Sequence, residues 1–485
     1  MSWSELGLGL ALAYNHLVLL YFFAINTQYL ILMLVGFRET RRALREMQWR
    51  DVRRLMRSPL TPPISVIAPA YNEESNVAVS TRSLLMLNYP EFEVIVVNDG
   101  SKDRTLEVLI ERFGLRPVPR SFEYAVPCRP VRTVYESPEH PNLVVVDKEN
   151  GGKADALNAG LNLALYPLFC AIDADSVLEE DALLRVVRPF VEEPGVTVAT
   201  GGIIRIANGC TVRAGRVVEV RLPRRFLPLV QIVEYLRGFL FGRMGWSAIN
   251  GLLIISGAFG LFDKRAAILA GGYAHDTVGE DMELVVRMHR RLREEGVPYR
   301  VRFVPDPVCW TEAPESLRVL RRQRNRWHRG LIDTLWRHRA MLGRSRFGAI
   351  GLLAMPSFLV FEMLGPLVEL SGYLIVPLCY LLGILDIRFM LLFLILAVLY
   401  GILLSVSAVL LEDMAFRRYP RARDLVLLVL VGIAENLGYR QATAWWRTRA
   451  FWDYWRGDLG WGRMERRGIT GGEGPAARPA GTPGP

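Results

Sequence analysis

The chain is poor in the residues that hold small folds together covalently or through metals. Its five cysteines, Cys128, Cys170, Cys210, Cys309 and Cys379, are scattered with no CxxC pair, so neither a disulfide framework nor a zinc site is indicated. Cys170 lies in an apolar run and reads as plain core. Charge is missing over long stretches. Residues 6–37 contain no Asp, Glu, Lys or Arg, nor does Phe389–Leu411, and Phe347–Leu385 is interrupted only by Glu362 and Glu369. Runs of this length are long enough to span a bilayer, which excludes a wholly soluble protein. The first run is too long for a cleaved signal peptide, and its basic cluster follows the apolar stretch where a signal peptide would place it before.

The net charge of +10 could indicate nucleic-acid binding, but its distribution argues otherwise. Eight arginines fall between Arg38 and Arg57, directly after the first apolar run, and Arg417, Arg418, Arg421 and Arg423 follow Leu411. Basic clusters beside membrane spans mark the cytoplasmic side, and no nucleic-acid partner is expected. The expected topology is multi-pass in the plasma (inner) membrane, with the N-terminus outside and residues 38 to about 346 cytoplasmic. Leu425–Ala434 is too short to be read as a span by itself, which leaves that part of the topology open.

Between the membrane segments, short apolar runs alternate with helical patterns. Ile64–Ala68, Glu93–Val97, Leu143–Val146 and Leu168–Ile172 read as buried strands. Ser75–Leu87, Asp103–Phe113, Lys153–Leu165 and Asp181–Val191 read as the helices between them. That alternation predicts a mostly parallel α/β sheet with right-handed crossovers and a ligand site beyond the carboxyl ends of the strands. Leu115–Pro141, with six prolines, breaks the pattern and reads as an ordered surface loop or insertion. Thr211–Pro223 resembles a small hairpin. The implied organisation is an N-terminal membrane helix (1–37), a basic linker (38–63), an α/β domain (64–313) and an interfacial helix region (314–346). A C-terminal membrane region (347–440), a basic interfacial segment (441–467) and a disordered Gly/Pro/Ala-rich tail (468–485) follow.

The candidate site residues sit at the ends of these strands and in two helical motifs, each with a simpler structural explanation beside the chemical one. Asp173-Ala-Asp175 could place two carboxylates near one hard cation, Mg²⁺ or Mn²⁺, or could be a polar strand end with a helix cap at Ser176 or Asp181. Asp99, in Asn98-Asp99-Gly100-Ser101, could accept a hydrogen bond from a nucleoside or simply form a turn, and Asp103 could cap the next helix. Gly151-Gly152-Lys153 could approach a phosphate or open a helix. Glu280 and Asp281 suit a helix first turn, yet a sugar hydroxyl acting as acceptor needs a base. Gln323-x-x-Arg326-Trp327 offers a cation for a departing diphosphate and an aromatic face for a sugar, and its Arg-rich surroundings equally suit an interfacial helix. A carboxylate such as Glu362 or Glu369 within a membrane helix is either functional or paired with an interfacial arginine.

The ordered set Pro69-Ala70-Tyr71-Asn72-Glu73, Asp99, Asp173-x-Asp175, Gly279-Glu280-Asp281 and Gln323-x-x-Arg326-Trp327 resembles the membrane-bound family 2 glycosyltransferases, which make cellulose, chitin oligomers, hyaluronan and poly-N-acetylglucosamine. The resemblance covers roughly residues 64 to 330. It implies an α/β GT-A-like fold, a divalent metal and an inverting single displacement from a UDP-sugar donor. By position, it implies that Ala70, Tyr71, Glu73, Asp99, Lys153, Asp173 and Asp175 surround the nucleotide sugar. Asp175 and Asp173 would be at the metal, and Asp281 would be the base beside Glu280. Gln323, Arg326 and Trp327 would bind diphosphate and acceptor, with Ser256 and Gly257 along the acceptor path. A glycan or lipid acceptor and the bilayer are the implied partners, and accessory export subunits would be compatible. The rival readings are single-sugar transfer to a lipid and a silent nucleotide-sugar sensor. The sensor would require a broken site, whereas every expected carboxylate is present.

Overall fold

A computed structural model describes residues 3–49, 52–173, 176–213, 215–419 and 421–457. Asp175, the segment 458–467 and the predicted tail 468–485 therefore lie outside the described residues. The α/β domain is built on twelve strands. They are β1 (Ile64–Ala70), β2 (Phe92–Asn98), β3 (Arg116–Val118), β4 (Val131–Glu136), β5 (Leu143–Lys148) and β6 (Leu168–Ile172). The second half comprises β7 (Val177–Leu178), β8 (Thr197–Ile206), β9 (Thr211–Arg213), β10 (Arg216–Glu219), β11 (Phe259–Asp263) and β12 (Arg300–Thr311). Ten of them form one sheet in the order β3-β4-β5-β2-β1-β6-β11-β8-β12-β7, and β9 and β10 form the predicted hairpin. Only β4, β11 and β7 oppose the common direction, so the sheet is mixed with mostly parallel strands, the GT-A-like arrangement that the resemblance implies.

The central strands are largely apolar because both faces are covered, and the buried exceptions Ser65 and Glu93 bond to each other at 2.6 Å. Val66, Val94 and Val96 point into one core with Leu109, Val186 and Val230. Their neighbours Ile67, Ile95 and Val97 point into the other with Leu157, Leu161 and Val285. The helices Val77–Leu85, Thr105–Phe113 and Lys153–Leu163 are those expected, shortened by a few residues, and Ala182–Glu192 lies one residue on from its expected bounds. Parallel pairing of β2-β1-β6 brings Ala70, Asn98 and Ile172 to one sheet edge.

Leu115–Pro141 corrects the surface-loop reading. It supplies the antiparallel edge strands β3 and β4, and Val126 and Val134 are buried. It also braces the helix Lys153–Leu163, because Asn162 accepts from the Val126 amide at 3.0 Å and Asp155 from the Arg129 amide at 3.0 Å. The prolines obscured this pairing, since they mark turns and strand edges alike.

Among the described residues, three helices are long and apolar enough to cross a membrane, Ser4–Arg45, Ile350–Leu381 and Ile387–Ala415. The first lies within a single helix, Trp3–Trp49, so the expected basic linker is helical in its first part. Helix Ala422–Ala434 is 13 residues long, about 20 Å, and ends at a kink where Leu437 and Gly438 leave helical geometry. That is shorter than the roughly 30 Å hydrocarbon core, so it does not span alone. Glu362 pairs with Arg447 at 3.1 Å and Glu369 with Arg440 at 3.7 Å, which realises the structural pairing considered for these carboxylates. The domain is tied to the membrane helices by Arg205–Glu412 at 2.7 Å and by Arg237–Glu435, all but Arg237 deeply buried.

Helix Glu280–Glu294 is anchored through His289, whose ring bridges the Tyr299 hydroxyl at 2.7 Å and the Leu252 carbonyl at 2.9 Å. Burial lowers this imidazole from 6.5 to about 4. Between those values the unfolded chain binds a proton that the folded protein refuses. Stability is therefore full above pH 6.5 and declines as the pH falls towards 4, by ~3 kcal/mol in total. The thermal midpoint of the purified full-length protein should drop between about pH 7 and about pH 5, and His289→Gln should flatten that drop. An equal drop in both proteins would assign the acid sensitivity to other groups.

Candidate active site

Asp173 follows β6 at the sheet edge, and its carboxylate accepts from Lys153 Nζ at 2.5 Å. The ammonium also contacts the Gly257 carbonyl at 3.2 Å and lies 3.6 Å from Glu280. Burial pulls the Lys153 pKa down, but Asp173 and Glu280 more than offset that and hold it above its ordinary value. Burial raises the Glu280 carboxyl above its usual range, Lys153 opposes that shift and Asp281 adds to it.

Asp281 is fixed by two backbone donors. Its Oδ2 accepts from the Gly257 amide at 2.9 Å and its Oδ1 from the Met282 amide at 2.8 Å. Glu280 and Asp281 do occupy the first turn of a helix, as the simpler explanation held, yet both face the same cavity. That cavity has a volume of about 850 Å³. Lys153, Asp173, Ser256, Gly257, Glu280, Asp281, Gln323, Arg326 and Trp327 all line it. It continues between the membrane helices past Tyr29, Glu362, Glu369, Glu435 and Arg440.

Ala70, Tyr71, Glu73 and Asp99 lie at the ends of β1 and β2 and are not part of this lining. Ala70 is buried, and its carbonyl accepts from the Asp99 amide at 2.9 Å. Tyr71 is exposed, and the Glu73 amide donates to Thr105 at 2.8 Å. The Asp99 carboxylate is buried, taking Lys148 Nζ at 2.7 Å and the Gly151 and Gly152 amides at 3.0 and 2.7 Å. Gly152 has φ +88, a conformation that glycine adopts without strain and that brings its N–H to Asp99. Asp99 thus orders the Gly-Gly turn that leads into Lys153. Arg104, not Asp103, holds the cap position of the following helix, and Asp103 one residue earlier accepts from the Thr105 amide at 3.1 Å, whereas Asp181 makes no side-chain cap and pairs instead with Arg185.

The helix Leu317–Arg337 carries the last motif. Trp327 is held by the Arg324 guanidinium 4.4 Å from its ring, with Arg324 itself bonded to Glu234 at 2.6 Å, and Phe239 lies 6.1 Å away. Sequence reasoning missed Gly330. A Cβ on Gly330 would sit 2.9 Å from Gly279 Cα, and one on Gly279 would sit 2.9 Å from Gly330 Cα. The backbones of the Gly279-Glu280-Asp281 and Gln323-x-x-Arg326-Trp327 segments therefore touch directly. A second residue missed was Arg243, a buried guanidinium in the cavity wall whose pKa burial lowers to about 10, with Asp281 opposing. Nothing in the local sequence marked either one.

Residues 168–404 match the family described as Glycosyl transferase family group 2, and residues 65–122 match Glycosyl transferase family 2. The chain belongs to the family 2 glycosyltransferases. It is 30% identical over 275 residues to a poly-beta-1,6-N-acetyl-D-glucosamine synthase of Staphylococcus epidermidis, spanning 56% of each chain. A synthase of the same name from Staphylococcus aureus strain COL is 28% identical over 275 residues, again 56% of each. The chain thus spans little more than half the length of the relatives it matches. Among solved structures, the mannosyltransferase PcManGT from Pyrobaculum calidifontis, in complex with GDP-Man and Mn²⁺, superposes with a TM-score of 0.48 at 18% identity, covering 84% of this chain and 99% of that one. S. aureus TarS 1–349 superposes with a TM-score of 0.37 at 16% identity, covering 78% of this chain and 91% of that one. Similarities this distant add nothing to the assignment of site residues in this family 2 domain.

The glycine contact is testable apart from any assay of transfer. Gly330→Ala and Gly279→Ala should each lower stability by about 1–3 kcal/mol, because backbone cannot yield as a side-chain end does. Combined, they should cost clearly less than the sum, since one displacement of the helix relieves both clashes. Strict additivity in thermal unfolding would show that the two positions are independent.

Proposed function

We propose that this membrane protein transfers a hexose or N-acetylhexosamine from a UDP-sugar to a growing oligosaccharide or polysaccharide, with inversion. The observation that carries the reading is the convergence of Lys153, Asp173, Glu280, Asp281, Gln323, Arg326 and Trp327, from four separate segments, on one cavity. Asp281 is the base. Its two backbone donors fix the carboxylate in place, and it accepts the proton of the acceptor hydroxyl as that oxygen bonds to the anomeric carbon. The bond from that carbon to the diphosphate breaks on the opposite face, and UDP departs. Arg326 and Lys153 balance the charge left on the diphosphate, and Trp327 supports the acceptor ring.

Asp173, together with Asp175, would hold Mg²⁺ or Mn²⁺. The donor set suits such an ion: Asp173 presents hard carboxylate oxygens at the cavity wall, and Mg²⁺ commonly takes only one or two carboxylates and the rest from phosphate and water. When bound, the ion would neutralise diphosphate charge.

The extension of the cavity past Tyr29, Glu362, Glu369, Glu435 and Arg440 offers a glycan acceptor polar groups among otherwise largely apolar walls. The basic clusters at 38–57 and 417–423 support a cytoplasmic catalytic domain and an outside N-terminus in the inner membrane.

Purified membranes supplied with a panel of UDP-sugars should yield a ladder of products by mass spectrometry. A single mono-glycosylated lipid and no longer product would overturn the polymer reading in favour of lipid glycosylation. Asp281→Asn should reduce transfer by at least about a hundredfold while UDP binding is retained. Parallel loss of UDP binding would make Asp281 a nucleotide ligand or a structural residue.

A further inference from the structure

Arg243 is 6% exposed, yet it makes no hydrogen bond or ion pair among the described residues, and its Nη1 is buried without a partner. It is held by aromatic faces instead. Its guanidinium lies 4.1 Å from the centroid of Phe239 and 5.9 Å from that of Phe303. Every other guanidinium around it has a partner on the protein, as in Arg237–Glu435 and Arg324–Glu234. A buried charge without a partner is strongly unfavourable unless a ligand completes it. Arg243 shares the cavity wall with Asp281, and the Phe239 ring against which it lies also approaches Trp327, which groups it with the base and the aromatic face proposed for the acceptor.

We propose that Arg243 is a specificity-determining residue of the acceptor subsite, donating hydrogen bonds to oxygens of the acceptor sugar and excluding sugars that carry an ammonium group. The inference rests on the glycosyl-transfer reading for the word acceptor, while the contact itself is one of sugar binding. The remaining charges sharpen the expectation. Lys153 pairs with Asp173 and approaches Glu280, and Arg326 acts on Glu280 and is assigned to the diphosphate, which leaves Asp281 and Arg243 as the charges proposed for the acceptor beside Trp327. Removing the arginine leaves the carboxylate, which would then attract a cationic sugar.

The test is binding to the UDP-loaded full-length protein in nanodiscs, and needs no turnover. Three probes differ in charge: methyl β-glucuronide, methyl β-N-acetylglucosaminide and methyl β-glucosaminide in its ammonium form. Wild type should bind the anionic and neutral probes about tenfold or more tightly than the cationic one. Arg243→Gln should weaken the first two and reverse the order, Arg243→Lys should keep it, and UDP affinity should be unchanged in both. A flat or inverted order in wild type overturns the proposal even if no variant folds. Loss of UDP affinity in Arg243→Gln also overturns it, because the arginine would then serve the donor diphosphate. Failure of wild type to transfer sugar from any donor, with the charge order intact, would count against the transferase reading alone.

Discussion

The ammonium of Lys153 is the point on which the site depends. It joins the helix after β5, the end of β6, the Ser256–Ala258 turn and the start of helix Glu280–Glu294, through contacts to Asp173, Gly257 and Glu280. Without it, Asp173, Glu280 and Asp281 would crowd like charges into a space of low polarity, where each raises the cost of ionising the next. The lysine is itself placed by a second buried charge cluster, in which Lys148 bridges Asp99 and Asp155 at 2.7 and 2.5 Å. Asp99 fixes the Gly151-Gly152 turn and Asp155 fixes the proline-rich segment. The charge pattern therefore carries order from the sheet edge to the cavity wall.

A second set of charges joins the domain to the membrane helices. Buried ion pairs add little net stability, because desolvation offsets much of the attraction, but breaking one leaves an expensive orphan. Arg205–Glu412 and Arg237–Glu435 therefore act less as glue than as registration marks. They allow one placement of the α/β domain over the membrane helices, the placement in which the cavity beneath Asp281 opens between those helices.

Much of this was legible in the sequence. The parallel strands and their helices announce themselves because a strand buried on both faces is apolar throughout and its helices follow at once. The carboxylates at the strand ends were recognisable for the same reason. The strands after β6 and at the sheet edge were not. In β8, the run Thr197–Ile206 contains Gly201 and Gly202 and finds its partners β11 and β12 some sixty to a hundred residues later. The edge strands β3 and β4 hid among prolines. Gly330 and Arg243 were invisible because their meaning comes from what they face, Gly279 in one case and an empty polar wall in the other. Asp99 lies in the turn its neighbours suggested and holds the Gly151 and Gly152 amides, a support role that neither the turn nor the nucleoside reading contained.

The geometry gives the reaction a direction. On the proposed reading the donor-binding groups belong to the sheet edge and Lys153, whereas Trp327 and Phe239 belong to helical segments on the cavity wall. Asp281 stands between them, its carboxylate pinned by the Gly257 amide from the turn ahead of β11. Direct contact of Gly279 with Gly330 means the base and the acceptor platform cannot shift apart without moving a whole helix. On the proposed reading, base and platform stay together as one unit while donor and product change. A lengthening product would then pass Tyr29, Glu362 and Arg440, where mostly apolar walls carry charges that are already paired, so neither the sugar hydroxyls nor the protein need leave an ionised group without a partner.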